Sequence, residues 1–229
     1  MPEVSAPPDK PQSTVERVVA TLRERIRAGR MMPGQRLVEA DITQDLDVSR
    51  SSVREALRRL AAEGLVEIQY QRGARVRQMT RAEVLALYDI RELLEGLAAR
   101  GAADHLAGSG REGALDGLVA AMAEAERAGA ISRFLELNLA FHELIVELSR
   151  NAHLPPLLKT LQTPIVQFQF RSLIDMSAMT ASHRDHVAIA EAVARGDADA
   201  ADAAMRRHVR RAADSLMTMP DDMFAPDTE

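Results

Sequence analysis

VSRSSVREALRRLAAEGLV, residues 48–66, is the stretch on which the fold turns. Ser49 to Ser52 supply N-caps, Val53, Leu57 and Leu60 recur at helical spacing, and Gly64 stops the helix. Arg50, Arg54 and Arg58 stand four residues apart, so they form one stripe on that helix. At about 100° per residue the stripe lies roughly 100–120° around from the apolar one. One side of the helix can bury itself while the other meets a polyanion. The serines add hydroxyls and free backbone N–H groups at the helix N-terminus, where a phosphate is well received. Taken singly, each arginine reads more simply as part of a solvated basic face; the constellation around them changes that reading.

Upstream, Ser13-Thr14-Val15-Glu16 is a capping box for a helix carrying Val15, Val18, Val19, Leu22 and Ile26, with Gly29 at its C-terminal end. Met32-Pro33-Gly34-Gln35 is a turn, and a short helix runs from about Glu39 to Leu46. Downstream, Leu65–Tyr70 and Ala74–Arg77 read as two short strands joined by a turn containing Gly73, and this hairpin carries Arg72, Arg75 and Arg77. Residues 13–78 thus spell a winged helix-turn-helix: three helices and a β-hairpin. Residues 1–12, rich in Pro, Ser and Asp, are expected to be disordered.

Thr80-Arg81-Ala82-Glu83 is a second capping box, and the domain boundary is placed just before it, near Gln78. Beyond it every strong signal is helical. Helices are expected over 81–106, 111–128, 131–149, 154–177, 180–195 and 197–217, with breaks near Gly108, Gly129, Asn151 and Gly196. The fold class is therefore mainly α, with an all-α antiparallel bundle over 79–219 and a tail over 220–229.

Composition narrows the function. The chain is 46% apolar, enough for a real core. It has no tryptophan and few aromatics, which excludes a stacking platform for single-stranded nucleic acid. With no cysteine there are no disulfides and no thiolate metal sites. No apolar run is long enough to span a bilayer, and the first residues lack a charged segment followed by an apolar one, so a soluble, cytoplasmic protein is expected. The net charge of −5 conceals an asymmetry: residues 14–77 hold 13 Lys/Arg against 9 Asp/Glu, and residues 79–229 hold 15 against 23. A basic head on an acidic body suggests that the head meets a polyanion.

VSRSSVREALRRLAAEGLV, the QRGARV that follows at 71–76 and the MPGQRLVEADI that precedes it at 32–42 together resemble the GntR family of bacterial transcriptional regulators. The resemblance implies that Arg50 and Arg54 contact DNA, that Ser49 and Ser51 meet phosphates or base edges, and that Gly73 lets the wing approach the minor groove. Arg58 and Arg72 complete the candidate DNA-binding set. Asp47 departs from the family pattern, standing where a glycine usually precedes the Val-Ser pair, and DITQ stands where a Leu-Ala pair is common.

Within the body, YDIRELLEGLAAR (88–100), LNLAFHELIVELSRNAHL (137–154) and HVAIAEAVARGDADAADAAMRRHV (186–209) are similar, in order and spacing, to the FCD effector domain of the FadR-type branch. Many such domains hold a divalent metal on one acid and three histidines beside a ligand pocket. Here the resemblance implies Asn138, His142, His186 and His208, with an amide where the family usually has Asp. The residues themselves support part of this. Asn138 and His142, four apart, share a helical face, and His186 and His208 fall on two later helices. Imidazole with oxygen ligands suits zinc, nickel, iron or manganese. Spacing alone fits three buried histidines without an ion at least as well. His183 is a possible substitute ligand, while His105 and His153 are placed on surface or loop.

Arg91 and Arg171 are candidate anchors for an anionic effector, since a guanidinium pairs bidentately with a carboxylate; an internal salt bridge is the plainer role for each. The expected function is a homodimeric DNA-binding regulator controlled by a small carboxylate metabolite. The best rival is a metal-dependent helical-bundle enzyme. Against it, the chain has no HExxH, no Glu-x-x-His pair of the di-iron kind, no Gly-rich phosphate loop and no Gly-x-Ser-x-Gly elbow. A head serving only protein interaction is disfavoured by the basic stripe.

Overall fold

A capping box opens the first helix as the sequence requires: Ser13 Oγ accepts from the Glu16 backbone N–H, and the Glu16 carboxylate accepts from the Ser13 N–H. The computed structural model describes residues 13–161 and 176–226. The chain divides into two compact units between residues 78 and 79.

The first unit contains α1 (Thr14–Arg27), β1 (Arg36–Leu37), α2 (Glu39–Leu46), α3 (Arg50–Ala62), β2 (Val66–Gln69) and β3 (Gly73–Val76). Val18, Leu22 and Ile26 of α1 are buried, as are Val53, Leu57 and Leu60 of α3 and Val66 and Val76 of the hairpin. The strands form an antiparallel sheet in the order β1-β3-β2. Its strand β1 follows the 32–35 turn and has only two residues, too few to carry an alternation that a sequence shows. In register, Glu67, Arg75 and Arg36 form a row across the three strands.

Asp47 ends α2 in the left-handed region at φ 49°. This is the physical reason for a glycine at that position; aspartate is one of the few other residues that tolerate it.

The second unit is helical: α4 (Arg81–His105), α5 (Ala114–Arg127), α6 (Ile131–Leu148), α7 (Leu154–Leu161), α8 (Met176–Ala194) and α9 (Ala198–Met217). The expected helix over 154–177 is described only to Leu161, and the expected disorder of 1–12 also lies outside the described residues. Helices α4 and α9 pack closely through small residues, including Ala98, Ala102, Ala201 and Ala204. A Cβ on Gly96 would run into the side chains of Asp202 and Arg206, so glycine leaves room for that pair against α4.

Part of the stretch expected as a tail packs on the body. Residues Asp221–Met223 form a 3-10 turn, and Phe224 is buried. Arg81 donates to the carbonyls of Met217 and Met219 and to Asp221, and its guanidinium lies 4.1 Å from the Phe224 ring centroid. The Ala225 N–H donates to the Met79 carbonyl. A cation over an aromatic face and satisfied helix-end carbonyls fasten this segment to the start of α4.

Candidate DNA interface and metal centre

Ser49 caps α3 with its Oγ accepting from the Ser52 N–H at 3.2 Å, and its hydroxyl lies within 2.8 and 2.9 Å of those of Ser51 and Ser52. Val53, Ala56, Leu57 and Leu60 face the core, while Arg50, Arg54 and Arg58 are exposed. The arginine stripe therefore stands in solvent, backed by a buried helix side. Among the described residues Arg58 makes one loose ion pair, 3.9 Å to Glu55. Arg54 is held by α2: its Nε donates to both carboxylate oxygens of Glu39, at 2.8 and 3.1 Å.

At the wing, Gly73 has φ 86°, which a side chain would strain, although a Cβ there would meet nothing within 4 Å. Tyr70, Gln71 and Arg72 form the exposed hairpin tip. Arg75 is paired across the sheet with Glu67 at 2.6 Å. A concavity of about 440 Å³ is lined by Arg36, Arg72, Gly73 and Arg75, among others. Arg36 is a basic residue the sequence reading passed over; it became visible only with β1.

In the body, His142 (α6), His186 (α8) and His208 (α9) converge. All three are buried, and His186 is inaccessible. The Nε2 atoms of His208 and His186 lie 3.3 and 3.5 Å from Nε2 of His142. Nδ1 of His142 is 2.6 Å from the Glu95 carboxylate, out of line for a good hydrogen bond, and Nδ1 of His208 is 3.1 Å from Asp185. These acids favour the tautomers with a proton on Nδ1, which leaves two Nε2 lone pairs facing each other inside the protein. Two acceptors so placed repel unless a cation or proton lies between them.

Burial, and then the neighbouring histidines, push His186 well down and His208 down to about 3, so both are neutral and able to ligate near pH 7. Tetrahedral zinc with Zn–N bonds of 2.0–2.1 Å sets its ligand nitrogens about 3.3–3.4 Å apart, which the His142–His208 spacing matches. The donor set thus fits a divalent transition ion.

The other proposed residues fare differently. Asn138 is half-buried one turn before His142, and its side chain makes no hydrogen bond among the described residues. His183 is not in the cluster; its Nδ1 lies 2.6 Å from Glu126 of α5. His105 caps back onto the Gly101 carbonyl, and His153 is exposed. Arg91 is engaged internally: Nε donates to Glu95 at 2.8 Å, and the guanidinium lies 4.7 Å from the Tyr88 ring centroid. Burial alone would raise the Glu95 carboxyl, but Arg91 and then His142 hold it well below the usual carboxylate range. Arg171 lies outside the described residues. Glu95 and Asp185 were missed by the sequence reading because only the fold brings them to the histidines.

A winged helix-turn-helix presenting arginines, joined to a helical body with a polar centre, defines a DNA-binding transcriptional regulator. Residues 14–76 match the model of the bacterial regulatory proteins of the gntR family, and residues 86–211 match that of the FCD domain. The chain belongs to the GntR family and carries an FCD effector-binding domain. It is 32% identical over 184 residues to the probable D-xylose utilization operon transcriptional repressor of Paenarthrobacter nicotinovorans, covering 80% of each chain. It is 30% identical over 187 residues to the Nta operon transcriptional regulator of Aminobacter aminovorans, covering 81% of this chain and 86% of that one. A solved GntR transcriptional regulator from Rhodococcus sp. RHA1 superposes with a TM-score of 0.72 at 25% identity, over 90% of this chain and 99% of the other. These relatives are regulators, so the enzyme reading falls. Among the described residues no helix is long and apolar enough to cross a membrane.

Proposed function

We propose that this regulator works in the cytoplasm as a homodimer on a pseudo-palindromic operator, and that a small carboxylate metabolite controls it through a divalent ion in the body. On DNA, Arg50 and Arg54 read base edges, Ser49, Ser51 and Arg58 meet phosphates, and Arg72 with Gly73 brings the wing to the minor groove. The observation that carries this half is the solvent-exposed stripe of Arg50, Arg54 and Arg58 on a helix whose other side is buried.

In the body, His142, His186 and His208 would hold zinc, nickel, iron or manganese, with Asn138 as a weaker fourth ligand. The ion would supply a Lewis-acid anchor for an oxygen anion. Three imidazoles and an amide bring no negative charge, so a carboxylate effector balances the ion. The supporting observation is the 3.3 Å approach of the His142 and His208 Nε2 atoms. Arg91 serves Glu95, which orients His142; its proposed role toward the effector is indirect. Effector binding changes operator affinity, and by reciprocity the operator changes effector affinity by the same factor.

Metal analysis of untagged protein, beside the His142→Ala/His186→Ala variant, tests the body. One ion per subunit lost in the variant is expected; no ion in the parent and no stabilisation by added zinc, nickel or manganese would leave three core histidines. Selection of bound duplexes from a random pool tests the head. A two-fold symmetric sequence is expected, and loss of selectivity in Arg50→Ala and Arg54→Ala; unchanged selectivity in both would overturn the recognition-helix assignment.

A further inference from the structure

An arginine offers bases two bidentate faces: the side made by Nε and one terminal nitrogen, and the end made by both terminal nitrogens. In this protein Glu39 blocks the first by taking its Nε. Both carboxylate oxygens of Glu39 lie within hydrogen-bond distance of Arg54 Nε, and no described residue takes the terminal nitrogens. Arg54 is 62% exposed at the side chain and would otherwise sample many rotamers. Glu39 is the first residue of α2 and Arg54 lies in the second turn of α3, so the pair bridges the two helices of the helix-turn-helix.

We infer that Glu39 is a specificity-determining positioning residue, which presents the free end of Arg54 to the base edges and so selects a guanine. Guanine offers O6 and N7 as two acceptors side by side in the major groove, the match for two terminal N–H groups. Glu39 acts a second way as well. Its negative charge, close to the DNA face, opposes binding to phosphate alone, which is the sequence-independent part of affinity. One residue thus strengthens the correct complex and weakens the incorrect ones, the two routes by which specificity is obtained. This inference rests on the DNA-binding reading above.

A plainer role exists for Glu39: an acid in the first turn of α2 favours the helix dipole. Asp41 lies in the same first turn and is exposed, and no hydrogen bond or ion pair joins it to Arg54, so Asp41→Asn removes a dipole partner and leaves the Glu39–Arg54 pair in place.

The test uses the full chain and the duplex that the wild-type protein enriches from a random pool. Dissociation constants are measured for that duplex, for a scrambled one, and for one with each guanine replaced in turn. For Glu39→Gln the enriched duplex is expected to bind about tenfold more weakly, while the scrambled duplex binds as well or better. The loss should concentrate at one guanine per half-site, and Glu39→Gln should change nothing further in an Arg54→Ala background. Asp41→Asn should leave the affinity ratio unchanged. An unchanged ratio for Glu39→Gln overturns the inference while leaving DNA binding standing. Equal loss on both duplexes with a lowered melting temperature assigns Glu39 to helix stability and overturns it too. If the wild-type protein enriches no sequence, the DNA-binding reading fails and the inference falls with it.

Discussion

Glu95 Oε2 stands 2.6 Å from Nδ1 of His142, with both residues buried. Arg91 on the same helix holds the other carboxylate oxygen at 2.8 Å. The chain Arg91–Glu95–His142 therefore fixes which histidine nitrogen faces the centre. Glu95→Gln should weaken metal binding about 10–100-fold, the usual effect of removing a carboxylate behind a ligating imidazole. Chelator competition measures it, and an unchanged affinity would reduce the contact to packing. The same variant should melt lower without metal, because Arg91 loses its buried partner.

Phe224 should be needed for the body's stability. It is buried against Arg81 in a segment expected to be a tail. Phe224→Ala is expected to cost about 3 kcal/mol, the low end for a buried phenylalanine, since a chain end can partly collapse into the gap. Urea unfolding of the full chain reads the change; a shift below about 0.5 kcal/mol would show that the fastening contributes nothing.

The fold was legible where it is written locally. Capping boxes at Ser13 and Thr80, the stripe Val53, Leu57 and Leu60, and the hairpin around Gly73 depend on residues a few places apart, and the structure places the helices close to the expected bounds. What escaped depends on distant partners. Strand β1 exists because β3 pairs with it, not because Arg36 and Leu37 have a pattern. Phe224 gains meaning only beside Arg81, more than a hundred residues earlier. His142, His186 and His208 were readable as types at the right spacing, but Glu95 and Asp185, which orient two of them, have no local mark. Arg91, a candidate effector anchor for which an internal salt bridge was the plainer role, pairs with a carboxylate one turn away.

Acid should destabilise the metal-free body through its histidines. Burial first, and neighbouring histidines next, lower His186 and His208, the latter to about 3, from an ordinary 6.5. Between those values the unfolded chain binds protons that the folded one refuses, so stability present above pH 6.5 is lost as pH falls through the window. Melting temperature of metal-free protein, followed downward from neutral pH, should drop, and His208→Gln should flatten part of the drop. Because ligation needs neutral imidazoles, bound metal should steepen the same dependence. A parallel course for parent and variant would contradict the folded-state assignment.

The dimer contact is expected on α4. Ala86, Ile90, Leu93 and Leu97 fall on one face at spacings of four, three and four, and the last three are 48, 53 and 45% exposed. Large apolar side chains left half in water along about 10 Å of helix are costly in a lone subunit. In the proposed homodimer a second copy of the same face would cover them by a two-fold contact, in which each residue meets its own counterpart or a near neighbour. One head reads only a few base pairs, too few for a search among genomic sites, so the second subunit also completes recognition. Leu93→Arg/Leu97→Arg in the full chain should give a monomer by sedimentation at micromolar concentration, with helicity retained because neither side chain is in the core. Operator affinity should fall steeply while binding to scrambled DNA changes little. A variant that remains dimeric would move the interface to another face of the body or to the head.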